Sequence, residues 1–233
     1  MTVDLVLRIL AAIMLSYLVG AIPVGWIIVM VVTGRDVRTI ESGRTGGTNV
    51  MRAAGTIAGV LTAIGDGAKG LAASFIVAWL IPGDVSFKAW LQVAAPVAAI
   101  LGHNYSIYLI ERRADGKLWL RGGAGGATCF GGALGLWPWS GAIMMPVVIL
   151  TFLLVGFASI TTLSIAVSAT AIFAYLAIAK GYPWEYVTYG IASILIVGWA
   201  LRPNLARLAK GTERAVGLRA YFQKRKAASQ KPV

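Results

Sequence analysis

The chain has 233 residues, 58% of them hydrophobic and only 13% charged, and its mean hydropathy is +0.77. Soluble domains carry about 25% charged residues, so this composition excludes an ordinary soluble domain and predicts an integral membrane protein. The formal net charge of +12 then belongs to loops facing the cytoplasm and anionic lipid, not to nucleic acid. Single copies of cysteine (Cys129) and histidine (His103) exclude an intrachain disulfide and a two-histidine metal site.

A membrane helix needs about 20 apolar residues, and seven runs are candidates: 5–32, 56–81, 89–110, 125–139, 141–157, 160–180 and 184–201. The first reads as a retained span, because it is too long for a signal peptide and Asp4 precedes it where a basic segment should lie. After it comes "ESGRTGGTNVMRAAG", residues 41–55, a polar glycine-rich loop. The run 56–81 contains Asp66 and Lys69, three apart on one helix face, suited either to a structural ion pair or to the chemistry of a site. His103 and Asn104 end the third run. "RGGAGGAT", residues 121–128, leads into the fourth. The fourth and fifth runs are short and meet at "WPWSG", where Pro138 between two tryptophans predicts a turn in the aromatic belt. An alternative for 125–157 is one re-entrant element plus one span. "GFASITTLS", residues 156–164, opens the sixth run.

The basic residues test this count. Arg35, Arg38, Arg44 and Arg52 lie in the first loop, Arg112, Arg113, Lys117 and Arg121 in the third, and Arg202, Arg207, Lys210, Arg214 and others, out to Lys231, after the last run. Seven spans bring all three segments to one face, which predicts an outside N-terminus and a cytoplasmic C-terminus. The expected architecture is therefore an all-α membrane protein of about seven helices, with one transmembrane domain over 1–217 and a basic, mobile tail over 218–233. On the basic face, the N-termini of spans two, four and six point free backbone N–H groups into one compartment. Glycines admit an anion to the backbone and arginines grip it in forks. Together these are the ingredients of a phosphate site. Either glycine-rich segment alone would read as close helix packing.

Several ordered motifs resemble those of the acyl-phosphate-dependent glycerol-3-phosphate acyltransferases of bacterial membranes, the PlsY family. "GAIPVGW" is similar to that family's first-helix signature, "SGRTGGTNVMRAAG" to SGNxGATNxxRxxG, and "DGAKG" to DxxKG. "LGHNY" followed by "RGGAGGAT" is similar to LGHxYP and KGGKGVAT, "FASITTLS" to the third block, and "RPNLARLAKGTE" to the closing one. The soluble-type signature HxxxxD is absent, since Tyr108 stands where its aspartate would be. The chain departs from the family at Arg44 (asparagine), Ser106 (proline), Ala124 (lysine) and Leu201 (histidine).

The resemblance implies transfer of an acyl group from acyl phosphate to the 1-hydroxyl of glycerol 3-phosphate. The product would be lysophosphatidic acid, made for phospholipid synthesis in the cell inner membrane. No cofactor, metal or nucleic acid is implied; the partners are the two substrates and membrane lipid. Ser42, Arg52, His103, Ser159 and Asn204 are the expected catalytic residues. Phosphate and substrate binding falls to Arg44, Thr48, Asn49, Lys69, Asn104, Arg121, Gly122, Gly123, Gly125, Thr128 and Glu213. Arg44 is the candidate replacement for the cation missing at Ala124. His103 or a substrate phosphate oxygen would take the hydroxyl proton. Two other readings remain open: a sibling acyltransferase with a different phosphorylated acceptor, and a transporter or binder of a phosphorylated ligand.

Overall fold

The computed structural model describes residues 2–83 and 85–229. Ten helices account for most of these: α1 Val3–Ala21, α2 Val24–Thr33, α3 Gly47–Ala54, α4 Thr56–Leu80, α5 Lys88–Asn104, α6 Gly126–Leu136, α7 Ser140–Leu150, α8 Ala158–Lys180, α9 Glu185–Ala209 and α10 Gly217–Ser229. The departure from an all-α chain is a short antiparallel hairpin, β1 Ile110–Arg112 with β2 Leu118–Leu120. Among the described residues, four segments are long and apolar enough to cross a membrane: Val3–Thr33, Thr56–Leu80, Ala158–Lys180 and Glu185–Ala209. Helices α5, α6 and α7 are shorter, and α7 continues into a π-helical turn over Thr151–Val155.

Local chemistry explains where helices break. The first apolar run is not one rod, because Pro23 has no N–H to donate and α1 ends at Ala21. Distant groups donate to the carbonyls at this break, at Ile22 beside the local Val24 N–H. Ser106 Oγ donates to the Ala21 carbonyl at 2.6 Å, and Lys69 Nζ to the Ile22 carbonyl at 2.8 Å. Ser106 also explains why α5 stops at Asn104 instead of running to 110. Its N–H donates to the Arg121 carbonyl and its hydroxyl accepts from Tyr108 N, so the chain turns into the hairpin. Conversely, α9 runs past the expected end at 201 and through Pro203. The proline leaves the Trp199 carbonyl without its helical donor, and Arg202 Nε supplies one at 2.9 Å.

Glycines set the helix crossings. Gly20 and Gly102 let α1 and α5 touch backbone to backbone at Ala99 and Tyr17, and Gly70 and Gly131 do the same for α4 and α6. A buried core of Ile100, Cys129, Ala133, Ala166, Phe173 and Tyr189 joins α5, α6, α8 and α9. Outward faces are apolar: Met14 on α1, Trp79 on α4, Ile178 on α8 and Leu195 on α9 are each more than half exposed, as residues facing lipid should be. The turn expected at "WPWSG" is present, closed by Ser140 N–H donating to the Trp137 carbonyl. The tail expected to be mobile is instead helical to Ser229, and residues 230–233, with Lys231, lie outside the described residues.

Candidate active site

The N-terminal turns of α4, α6 and α8 converge on one cavity of about 940 Å³. Its mouth is polar, lined by Ser42, Arg44, Arg52, Asn204, Arg207 and Glu213. Another wall is apolar, lined by Val60, Ile64, Leu71, Phe130, Leu134 and Met145, and at Val60, Ile64 and Met145 it opens onto the lipid-facing surface. A ligand with a charged head and a hydrocarbon tail fits that division.

The first glycine-rich segment is held by Asn49. Its amide donates to the carbonyls of Arg44 (2.9 Å), Ile40 (3.0 Å) and Val37 (3.3 Å), and its Oδ1 accepts from Ser42 N. Asn49 lines the cavity, but its amide group serves the loop backbone. Around this clasp, Ser42, Thr48, Arg44 and Arg52 face the cavity. Arg44 reaches across to the Ala200 carbonyl of α9, and its other nitrogen lies 3.5 Å from the Gly123 carbonyl. Thus Arg44 stands beside Ala124, which also lines the cavity.

The opposite rim comes from the end of the chain. Glu213 accepts from Ser159 Oγ at 2.6 Å and from Asn204 Nδ2 at 3.3 Å. Ser159 is fully buried behind Glu213 and does not reach the cavity, whereas Asn204 does. Arg214 pairs with Glu41, closing one rim against the other. Arg207, one turn beyond Asn204 on α9, also faces in.

The second glycine-rich segment divides in two. Gly125 has φ +91°, which favours glycine, and starts α6 with its amide end toward the cavity. Gly122 and Gly123 lie away from the cavity, pressed on the end of α5; a Cβ on either would strike His103 or Asn104. Arg121 does not face the cavity either. It pairs with Glu111 at 3.2 Å, donates to the carbonyls of Arg38 and Gly43, and lies over the Trp119 ring. Its fork braces the hairpin against the first loop, so it is not a cavity ligand. Asn104 and Thr128 are buried beside this segment and outside the cavity lining.

Beneath the mouth, Asp66, Lys69 and His103 form a buried cluster, each no more than 5% exposed. Lys69 Nζ lies 2.8 Å from Asp66 Oδ1 and 3.1 Å from His103 Nδ1. Asp66 and His103 line the cavity, while Lys69 sits behind them and ties α4 to the α1–α2 break. His103 Nδ1 also lies 3.4 Å from Asp66 Oδ1, so it accepts from Lys69 in a neutral ring and donates to Asp66 in a protonated one.

Charge is crowded at the mouth. Burial, then repulsion from Arg207, lowers the pKa of Arg44. Burial lowers that of Arg52 as well, with Glu213 opposing and Arg207 adding to the effect. Guanidiniums nonetheless stay protonated. Arg214 is paired with Glu41 and Asp66 with Lys69, which leaves Arg44, Arg52 and Arg207 facing Glu213 in a partly desolvated mouth, an arrangement that favours an anionic ligand.

Of the residues expected from sequence, the cavity lining brings together Ser42, Arg44, Thr48, Asn49, Arg52, His103, Gly125, Asn204 and Glu213. Lys69, Asn104, Arg121, Gly122, Gly123, Thr128 and Ser159 stand behind it. Sequence reasoning missed Arg207 and Asp66 as lining residues. For Arg207 the signal was present: it follows Asn204 by three, so the two share a face of α9.

Residues 10–211 match the family profile described as "Glycerol-3-phosphate acyltransferase". A glycerol-3-phosphate acyltransferase of Thermus thermophilus is 36% identical over 208 residues, covering 89% of this chain and 94% of that protein. "Glycerol-3-phosphate acyltransferase 3" of Dehalococcoides mccartyi is 34% identical over 217 residues, with 90% and 96% covered. The crystal structure of PlsY (YgiH), an integral membrane glycerol 3-phosphate acyltransferase, superimposes in its glycerol 3-phosphate form with a TM-score of 0.74 at 28% identity, over 92% of this chain and 98% of that one. Its lysophosphatidic acid form gives a TM-score of 0.72. The buried ion cluster, the glycine crossings and the arginine-lined mouth are thus carried on the fold of an integral membrane enzyme, and this chain belongs to the glycerol-3-phosphate acyltransferase family.

Proposed function

We propose that this protein transfers an acyl group from acyl phosphate to the 1-hydroxyl of glycerol 3-phosphate, forming lysophosphatidic acid and inorganic phosphate. The observation that carries this reading is the cavity's division: guanidiniums and Asn204 at the mouth, and a hydrocarbon wall that opens onto the lipid-facing surface. The mouth suits two phosphates and the apolar wall suits an acyl chain.

Acyl phosphate is already activated, because phosphate is a good leaving group. The protein has to hold two anions together despite their repulsion, align the hydroxyl with the carbonyl and stabilise the developing oxyanion. Arg44, Arg52 and Arg207 offset the charge. Ser42, Thr48 and the backbone N–H groups opening α6 add neutral donors. The glycerol oxygen attacks the acyl carbon, the bond from that carbon to the phosphate oxygen breaks, and the hydroxyl proton leaves on a phosphate oxygen. That base is favoured over His103, whose Nδ1 is engaged by Lys69 and Asp66. Ser159 contributes indirectly, by aiming Glu213 at Asn204.

The basic segments support seven spans with the N-terminus outside, the mouth and tail at the cytoplasmic face of a bacterial membrane, and a single domain over 1–217. A periplasm-only reporter that is active when fused to the C-terminus would overturn this orientation. The test of the reaction is an assay of purified protein with palmitoyl phosphate and glycerol 3-phosphate, with acyl-CoA and acyl carrier protein thioester as competing donors. Lysophosphatidic acid should form from palmitoyl phosphate alone. Product from a thioester would overturn the donor, and product only with another phosphorylated alcohol would overturn the acceptor.

A further inference from the structure

We infer that α10 is an interfacial helix that binds an anionic membrane surface. It lies beyond residues 10–211, the stretch matched to the family profile. Its seat is fixed by specific contacts. Val216 N–H donates to the Gly156 carbonyl at 2.9 Å, Phe157 bridges Ala215, and the Arg219 guanidinium lies 4.4 Å over the Phe157 ring. Gly217 sits against the Phe152 carbonyl so closely that a Cβ there would collide with it. Helix α10 thus rests on the π turn at the end of α7, whose own Leu153, Leu154 and Val155 are exposed and apolar.

The outer face of α10 continues that apolar surface. Leu218, Tyr221 and Phe222 recur at helical spacing and are 43%, 57% and 59% exposed. Water is a poor solvent for such a face, while the headgroup–acyl boundary suits it, aromatic rings especially. Arg225 follows Tyr221 by four and Phe222 by three, so its stem runs along this face and its head can snorkel to the phosphates. Arg219 and Lys226 add charge on the flank. Apolar continuity with a lipid-facing surface fixes the depth of the helix, and its cations select the headgroup sign. The inference rests on the membrane fold and is independent of the acyl donor.

The test uses the full chain in nanodiscs of neutral phosphatidylcholine and in nanodiscs containing phosphatidylglycerol, with amide hydrogen exchange read over residues 217–229. Protection should be greater in the anionic bilayer, by about fivefold for each basic residue engaged, and should decline at high salt. Arg225→Glu should abolish much of the gain from phosphatidylglycerol while leaving exchange in α8 and α9 unchanged. Leu218→Ser/Tyr221→Ser/Phe222→Ser should lower protection in both bilayers. Equal protection in neutral and anionic nanodiscs, or protection indifferent to Arg225→Glu, overturns the inference. Protection that instead rises with the number of protein copies per nanodisc would mean that a second chain covers this face, which also overturns it.

Discussion

Arg207→Ala is the sharpest probe of the mouth, because the chain's topology and the chemistry of the site assign the residue different consequences. If Arg207 only marks the cytoplasmic side, one cation fewer among 21 changes little. In the structure it faces the cavity one turn from Asn204 and repels both Arg44 and Arg52. Removing it should therefore relieve repulsion in the free protein and leave thermal stability unchanged or slightly raised. With substrate bound, the same change removes a charge-assisted hydrogen bond to phosphate, worth about 1.5–3 kcal/mol, or about 10- to 150-fold in affinity. Initial rates of acyl transfer in detergent or nanodiscs, with glycerol 3-phosphate varied, should show this as a raised KM or a lowered kcat/KM beside an undiminished melting temperature. Arg207→Lys keeps the charge without the fork and should fall between the two. Lys210→Ala, an exposed cation off the cavity, is the matched control and should behave as wild type. A change below about threefold for Arg207→Ala, or an equal change for Lys210→Ala, would sink the assignment, since either is far short of the lost bond.

Arg44→Asn should weaken phosphate binding while Ala124→Lys is neutral or mildly activating, and the double variant should recover what Arg44→Asn loses. Strictly additive rates in that double-mutant cycle would mean the two positions do not share a phosphate. Lys69→Met leaves buried Asp66 without its ammonium partner and takes one of two donors from the Ile22 carbonyl, so unfolding in detergent should show a loss of about 3–5 kcal/mol; a loss under about 1 kcal/mol would mean the cluster is not paired as described. The last prediction concerns acid. The hydrogen bond from the Arg38 side chain holds the Asp36 carboxyl at about 2, below its ordinary 3.8. Its folded-state pKa is depressed, so this stabilisation is complete above about pH 4 and is lost as pH falls toward 2. Asp36→Asn should flatten that part of the stability profile, and an unchanged acid limb would refute the pairing.

Much of the site was legible because polar residues in an apolar chain need a reason. Ser42, Arg44, Arg52 and Asn204 stood out against hydrocarbon, and the structure draws them from residues 42 to 204 into one mouth. What was not legible depended on contacts made elsewhere. Nothing near Arg121 in sequence says that Glu111, across a ten-residue hairpin, takes its fork. Gly122 and Gly123 carry the same residue type as Gly125, yet the α5 end presses on the first two and the cavity borders the third. Arg207 was hidden among cations that served equally well as a topology signal. The break at Pro23 was visible as a residue, but what stabilises it, Lys69 and Ser106, comes from other helices. The helicity of α10 was masked by a composition that also suits a solvated tail.

The clasp between the two rims constrains how the protein is made. Glu41 pairs with Arg214, and Arg44 reaches the Ala200 carbonyl. The first partner of each contact leaves the ribosome when most of the chain is still unmade, and the second arrives only with α9 and the segment after it. A nascent chain halted after Lys180 already holds Arg44 and Arg52, yet lacks Asn204, Arg207 and Glu213. Its arginines would lack Glu213 opposite and the α9 wall that encloses them. Insertion of the final long helix is therefore the step that converts a set of membrane-embedded segments into a closed compartment. Until then the two rims have nothing to close against.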